Sequence, residues 1–222
     1  VRRLRATPRA RCHDNWSGFY LGVNGYLTPD QSLDLGPEAN FMDLEYNNSV
    51  AVNLNFWQVN LANTLGRRGG IGLFTGLGYS WNNYRFETNL RLTHEENQVG
   101  YEVSDVHDYI KTKLTVSHLN IPLMLEYQTR QNISKSKFHI SAGVNLGFRM
   151  RSHTKQVYRD GGKVRDKDFQ SFHLAPFRQE VVARLGWGPI NLFASYAINE
   201  MFREDRGPEL YPFTLGLRIV NF

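Results

Sequence analysis

Phe138 to Arg151 reads FHISAGVNLGFRMR, and its side chains separate cleanly by parity. Ile140, Ala142, Val144, Leu146, Phe148 and Met150 fall on one face, opposite His139, Ser141, Gly143, Asn145, Gly147, Arg149 and Arg151. Alternate residues of a strand point to opposite sides, so the segment is a β-strand with one apolar and one polar surface. It exceeds the ~5–6 residues of an ordinary soluble strand. It matches the roughly 9–11 tilted residues that carry a strand across a bilayer core.

The same alternation recurs on both sides of this stretch. Toward the N-terminus it predicts strands over Trp16 to Leu27, Ser49 to about Leu61, Gly70 to Tyr84 and Lys113 to Gln128. A parity slip after Phe56 predicts a bulge, and Pro122, which has no N–H to donate, predicts a local irregularity. Toward the C-terminus the strands run from Phe172 to Leu185, Ile190 to Ile198 and Tyr211 to Ile219, with a tight turn at Trp187-Gly188-Pro189. No helix is predicted. The chain thus reads as all-β, with eight antiparallel strands in an up-and-down barrel over 16–222 and a flexible arm over 1–15.

Eight such strands close either a soluble barrel, apolar inside, or a membrane barrel, apolar outside. Three features favour the membrane. Connections alternate long and short, the long ones at about 28–46, 86–112, 152–171 and 202–209, as in outer-membrane barrels with both termini in the periplasm. Glycines at 18, 22, 72, 76, 78, 143, 147 and 216 gather on the polar parity, where a crowded interior needs them. Aromatic residues collect near strand ends, Trp16, Trp57, Tyr127, Phe138 and Trp187 at the short-turn end and Trp81, Phe148, Tyr196, Tyr211 and Phe213 at the other, which is the pattern of interfacial girdles. The expected location is the bacterial outer membrane.

Charge is informative once it is located. The formal net charge is +5, but Arg2, Arg3, Arg5, Arg9 and Arg11 supply five positives and leave 21 basic against 21 acidic residues beyond them. The body is neutral and the arm is basic, which suits contact with acidic periplasmic surfaces better than nucleic acid. Cys12 is the only cysteine, so no intrachain disulfide forms. Residues 1–11 lack the apolar core of a secretion signal, and the expectation is a mature or truncated chain.

Candidate chemistry is sparse. Glu126, Arg149, Arg178, Glu180, Arg184 and Arg218 share the polar parity and are expected to form a charged, hydrogen-bonded network that plugs the lumen. Asp105, His107 and Asp108 sit together in a long outer loop; such a group in a charged loop is expected to be solvated surface, and catalysis is the alternative. His118 and His139 face the interior, where packing is expected rather than a metal site. Lys163 and Arg165 could meet lipopolysaccharide phosphates, but the interleaved Asp160, Asp166 and Asp168 neutralise them, and a solvated loop is expected. No cofactor and no metal is expected.

The segments NWSGFYLGVNGYL, FMDLEYNNSVAVNLNFWQ, HLNIPLMLEY and FTLGLRIVNF resemble the small outer-membrane β-barrel proteins of Bacteroidota, the PorT-like group, over roughly 14–222. The resemblance implies the barrel and its location, and an accessory, assembly or surface role; it assigns no function to particular residues. Two functional classes follow: an accessory or interaction subunit of a larger envelope complex, or an outer-leaflet enzyme with an acid and histidine site at its rim. The expected surroundings are outer-membrane lipid and lipopolysaccharide, with other envelope proteins as partners.

Overall fold

The protein, a computed structural model, is described over residues 15–65, 69–88, 90–95, 97–103, 109–129, 138–159 and 163–221. Its strands in chain order are β1 (Gly18–Leu27), β2 (Val50–Leu65), β3 (Gly69–Arg85), β4 (Leu90–His94), β5 (Val99–Val103), β6 (Tyr109–Thr129), β7 (Phe138–Arg159), β8 (Lys163–Asp168), β9 (Phe177–Trp187), β10 (Ile190–Ala197) and β11 (Tyr211–Val220). β1, β2, β3, β6, β7, β9, β10 and β11 pair antiparallel in that order, and β11 returns to β1. The result is a closed eight-stranded up-and-down barrel.

Its faces are inverted relative to a soluble barrel. Along β7, Val144 and Leu146 keep 46% and 47% of their surface exposed, while Ser141 and Asn145 keep 2% and 5%. β9 alternates without a break, exposing Val181 and Leu185 and burying Arg178, Glu180 and Arg184. Exposed apolar residues continue around the wall through Leu123, Leu192 and Leu217. A charge facing lipid at mid-bilayer costs about 2–4 kcal/mol, so the charges fill the lumen and the aliphatic side chains face outward.

Bulges adjust this pattern where parity slips. Phe56 and Leu61 are extra residues in β2 relative to β3. Met150 is the extra residue of β7 relative to β6, so Arg149 opposes His118 while Arg151 opposes Ser117. Above this bulge Ser152, Thr154 and Gln156 become the buried set, and Arg151, His153 and Lys155 turn to the other face. At Pro122 the β3–β6 pairing lapses opposite Gly76 and Leu77 without a change of register, and the Pro122 carbonyl accepts from Thr75 Oγ1 at 2.7 Å.

The seam between β1 and β11 depends on glycine. Gly22 and Gly216 oppose each other there, and a Cβ on Gly216 would fall 2.6 Å from the Phe193 ring and 2.6 Å from Gly22 Cα. Phe193 uses that space to meet Tyr20 edge-on, at 5.6 Å between ring centres.

Several expectations are corrected at the chain's connections. The stretch 86–112 is not an open loop: it holds the β4–β5 hairpin and the start of β6. Likewise 152–171 holds the outer part of β7 and all of β8, which pairs with β7 beyond the barrel wall. The barrel's first strand begins at Gly18 rather than Trp16, and its sixth at Phe177 rather than Phe172. Phe172 and His173 take positive φ of 47° and 53°, a costly conformation for bulky residues; the turn they make buries the Phe172 ring completely. A single helical turn, α1 (Gly36–Ala39), opens on Pro37 where no helix was expected.

Candidate functional site

The lumen is filled in two tiers. In the middle tier, Arg178 Nε and Glu180 Oε1 of β9 lie 3.3 Å apart. Asn145 Nδ2 of β7 donates to Glu180 Oε2 at 2.7 Å and approaches Asn120 Oδ1 of β6 at 3.3 Å. Arg178 Nη2 reaches Ser80 Oγ of β3 at 3.4 Å. Four strands are thereby tied across the barrel around one ion pair whose second carboxylate oxygen is hydrogen-bonded, and such added hydrogen bonds help a buried pair to be tolerated.

The second tier closes the short-turn end, and the chain's own entry segment builds it. The Asn15 carbonyl accepts from Arg184 Nη2 at 2.9 Å and from Arg218 Nη1 at 2.9 Å, and Asn15 Nδ2 donates to Glu126 Oε1 at 3.1 Å. Trp16 turns into the barrel and packs on Phe74, Met124 and Val182. The Arg184 guanidinium lies 4.9 Å from the ring centres of both Trp16 and Tyr20, in range of a cation–π contact, and it also donates to the Tyr20 hydroxyl. Between the tiers remains a cavity of about 40 Å³ lined by Asn53, Asn55, Asn82, Asn120 and Asn145. It is polar and has room for a few waters; it is no passage for solutes.

The long-connection end is closed differently, by a hydrophobic cap. Tyr26, Met42, Leu44, Tyr84, Phe86, Leu90, Leu92, Leu114, Phe172, Leu174, Phe202 and Leu210 form one buried cluster drawn from every long connection. Bridges Leu44 to Phe86 and Leu174 to Phe202 link connections in pairs. Val99 N donates to the Arg206 carbonyl at 2.8 Å, and Arg206 Nη1 to the Asn97 carbonyl at 2.8 Å. His94 and His173 stack at 4.1 Å, and Phe41 and Tyr101 at 4.6 Å. On the cap's surface, a groove of about 700 Å³ runs between Thr28, Phe41, Gln98, Tyr101, Pro208 and Glu209. Beside it, burial and then Glu87 and Asp34 raise the Asp43 carboxyl above its ordinary value.

The six lumen charges read from the sequence are therefore distributed among three places. Arg178 and Glu180 meet in the middle; Glu126, Arg184 and Arg218 converge on Asn15 at one mouth. Arg149 lies at the other end, donating to the Ser171 carbonyl at 2.8 Å. His118 opposes Arg149 near the middle of the β6–β7 ladder, whereas His139 opposes Gln128 at its short-turn end, too far apart to share an ion. Asp105, His107 and Asp108, together with Arg2, Arg3, Arg5, Arg9 and Arg11, lie outside the described residues. Parity places Asn145 on the polar face without naming its partners, and Asn15 carries no signal; Trp16, expected in the first strand and the interfacial girdle, turns into the lumen instead.

A family model described as outer membrane protein beta-barrel domain matches residues 14–203. No curated protein and no solved structure matches the chain.

Proposed function

The chain belongs to the outer membrane protein beta-barrel domain family, and from that membership we propose that it is a non-enzymatic accessory or interaction subunit of a larger cell-envelope complex, in protein assembly, secretion or uptake. The observation that carries this reading is the pairing of a filled lumen with a folded cap. Eight strands leave interior room for little beyond side chains, and here those side chains are tied together. The cap has a hydrophobic core of its own, which makes the long connections a rigid platform for a partner.

Orientation follows from the same reading. The cap faces the exterior and both termini lie in the periplasm, where the arginines Arg2, Arg3, Arg5, Arg9 and Arg11 contact acidic surfaces of partner proteins. The strand motifs resembling PorT-like barrels fit such an accessory role. Purification of the native protein in mild detergent, with mass spectrometry of what accompanies it, tests the reading. A stoichiometric envelope protein supports it, and turnover of a lipid or peptide substrate by the purified barrel alone overturns it.

A further inference from the structure

We propose that the outward face of the sheet formed by the upper parts of β6 and β7 with β8 is a binding site for the phosphates of a phosphorylated glycolipid in the leaflet that borders the cap. The inference rests on the outward orientation of the cap given above. Its basis is a row of cations in strand register: Arg85 opposes Lys113, Lys113 opposes Lys155, and Lys155 opposes Lys167. Arg85 is compensated by Glu45 at 2.6 Å, and Lys113 Nζ donates to the neutral Asn83 Oδ1 at 2.7 Å. The register gathers these positive charges on one face of the sheet, where they suit an anion that spans several of them.

Alternation separates this row from nearby acids. In β8, Lys167 and Arg165 share the face of Lys155, whereas Asp166 and Asp168 oppose Gln156 and Thr154 on the other face. Asp168 there approaches Arg91 at 3.7 Å. The neutralisation expected from the interleaved sequence therefore does not occur on the outward surface for these two aspartates. Below the row, His153 opposes Thr115 and Arg151 opposes Ser117, and the exposed Phe148 and Met150 begin the apolar wall. Burial, and then Lys111, Lys155 and Lys167, pull the Lys113 ammonium below its ordinary value, as closely set cations do.

Depth selects the lipid. Arg151 to Lys155 is four residues, roughly 13 Å along a strand at about 3.3 Å per residue, or about 10 Å along the membrane normal at a tilt near ~40°. A phospholipid headgroup layer is only about 5–7 Å deep on each side. Cations spread over the larger depth suit a head carrying phosphates at more than one level, as a phosphorylated glycolipid does.

The test titrates the full chain in detergent micelles with lipid A, the same lipid A stripped of phosphate, and phosphatidylglycerol, reading bound lipid by native mass spectrometry. Each cation near a membrane surface contributes about fivefold in affinity. Changing Lys113, Lys155 and Lys167 together to Gln should therefore weaken lipid A binding on the order of a hundredfold, while changing them to Arg should preserve it. Circular dichroism and gel mobility of both variants report that the barrel is intact. Equal binding by the Gln variant, or equal binding of phosphate-free lipid A, overturns the site; phosphatidylglycerol binding as tightly as lipid A overturns its assignment to a glycolipid. Binding in micelles is independent of orientation, so surface labelling of intact cells tests that premise by itself, and a cap facing the periplasm would remove the glycolipid as the cellular ligand.

Discussion

The guanidinium of Arg184, a residue of the closing half of the barrel, lies 4.9 Å from the ring centre of Trp16, which precedes the first strand. Arg184 is held at once by that ring, by Tyr20 and by the Asn15 carbonyl, so the entry segment acts as the stopper of the short-turn mouth. Trp16→Ala removes a ring that is 5% exposed and packed on Phe74 and Met124. Truncating a buried aromatic costs about 3–5 kcal/mol. Urea unfolding in micelles should show that loss; a midpoint equal to the parent's would mean that the stopper adds no stability.

Glu180 and Arg178 give a second prediction. Removing one member of a buried ion pair leaves the other charge uncompensated, at about 3–5 kcal/mol, whereas replacing both with apolar residues is near neutral. Glu180→Leu should therefore lower the urea midpoint sharply, and Glu180→Leu with Arg178→Met should recover most of it. Equal loss in the single and double variants would show that the pair is not the unit that matters.

Glycine positions should rank by what a methyl would meet. At Gly216 it would collide with backbone, including Gly22 Cα at 2.6 Å, while at Gly147 the nearest atom is the movable Asn120 Oδ1 at 3.0 Å. Overpacking against fixed atoms costs about 1–3 kcal/mol. Gly216→Ala should thus be clearly more destabilising than Gly147→Ala in the same unfolding assay, and the reverse order would contradict the description of the β1–β11 seam.

The barrel wall was legible because lipid on one side and a polar lumen on the other impose a period of two on every spanning strand, seen most plainly from Ile140 to Met150. Above the membrane both faces of the sheet carry polar groups, and residues 109–112 and 152–159 show no alternation that announces a strand. Residues 109–112 of β6 and 152–159 of β7, the β4–β5 hairpin and β8 consequently read as connections from the sequence alone. Lumen-facing charges were legible by parity, but their partners depend on register. Arg149 shares its parity with Glu180's neighbours, yet it lies beside the bulge at Met150 and reaches the Ser171 carbonyl instead. Trp16 reads from the sequence as the first residue of the first strand and a girdle aromatic, but it precedes the strand and turns into the lumen, which alternation has no means of showing.

Topology is open to a direct labelling test. In a Cys12→Ser background, Gln170→Cys at the cap end and Pro189→Cys in the short turn after β9 place one exposed thiol at each end of the barrel. An impermeant maleimide applied to intact cells should label position 170 and spare position 189. Labelling at 189 alone would invert the orientation.

His153 supplies the pH dependence. It lies beyond the apolar band, meets the Phe169 ring at a tilt with 5.1 Å between ring centres and opposes Thr115 across the strand pair. Burial, and then Lys167, Lys113, Arg151 and Lys155, hold its imidazole below the ordinary 6.5. A histidine whose folded value is depressed binds fewer protons than it does when unfolded, so its neutral form belongs to the fold. Its contribution is intact above about 6.5 and is lost as pH falls from there through the folded value. The parent should therefore lose stability between neutral and mildly acidic pH, and His153→Asn should lose less over the same range. Ring-proton chemical shifts of His153 in micelles provide the direct reading, with a titration midpoint below 6.5. Lipid A bound to the lysine row would bring negative charge to the ring and move that midpoint upward, whereas phosphate-free lipid A should leave it in place. A midpoint at or above 6.5 in the lipid-free protein would show that the surrounding lysines do not bear on His153.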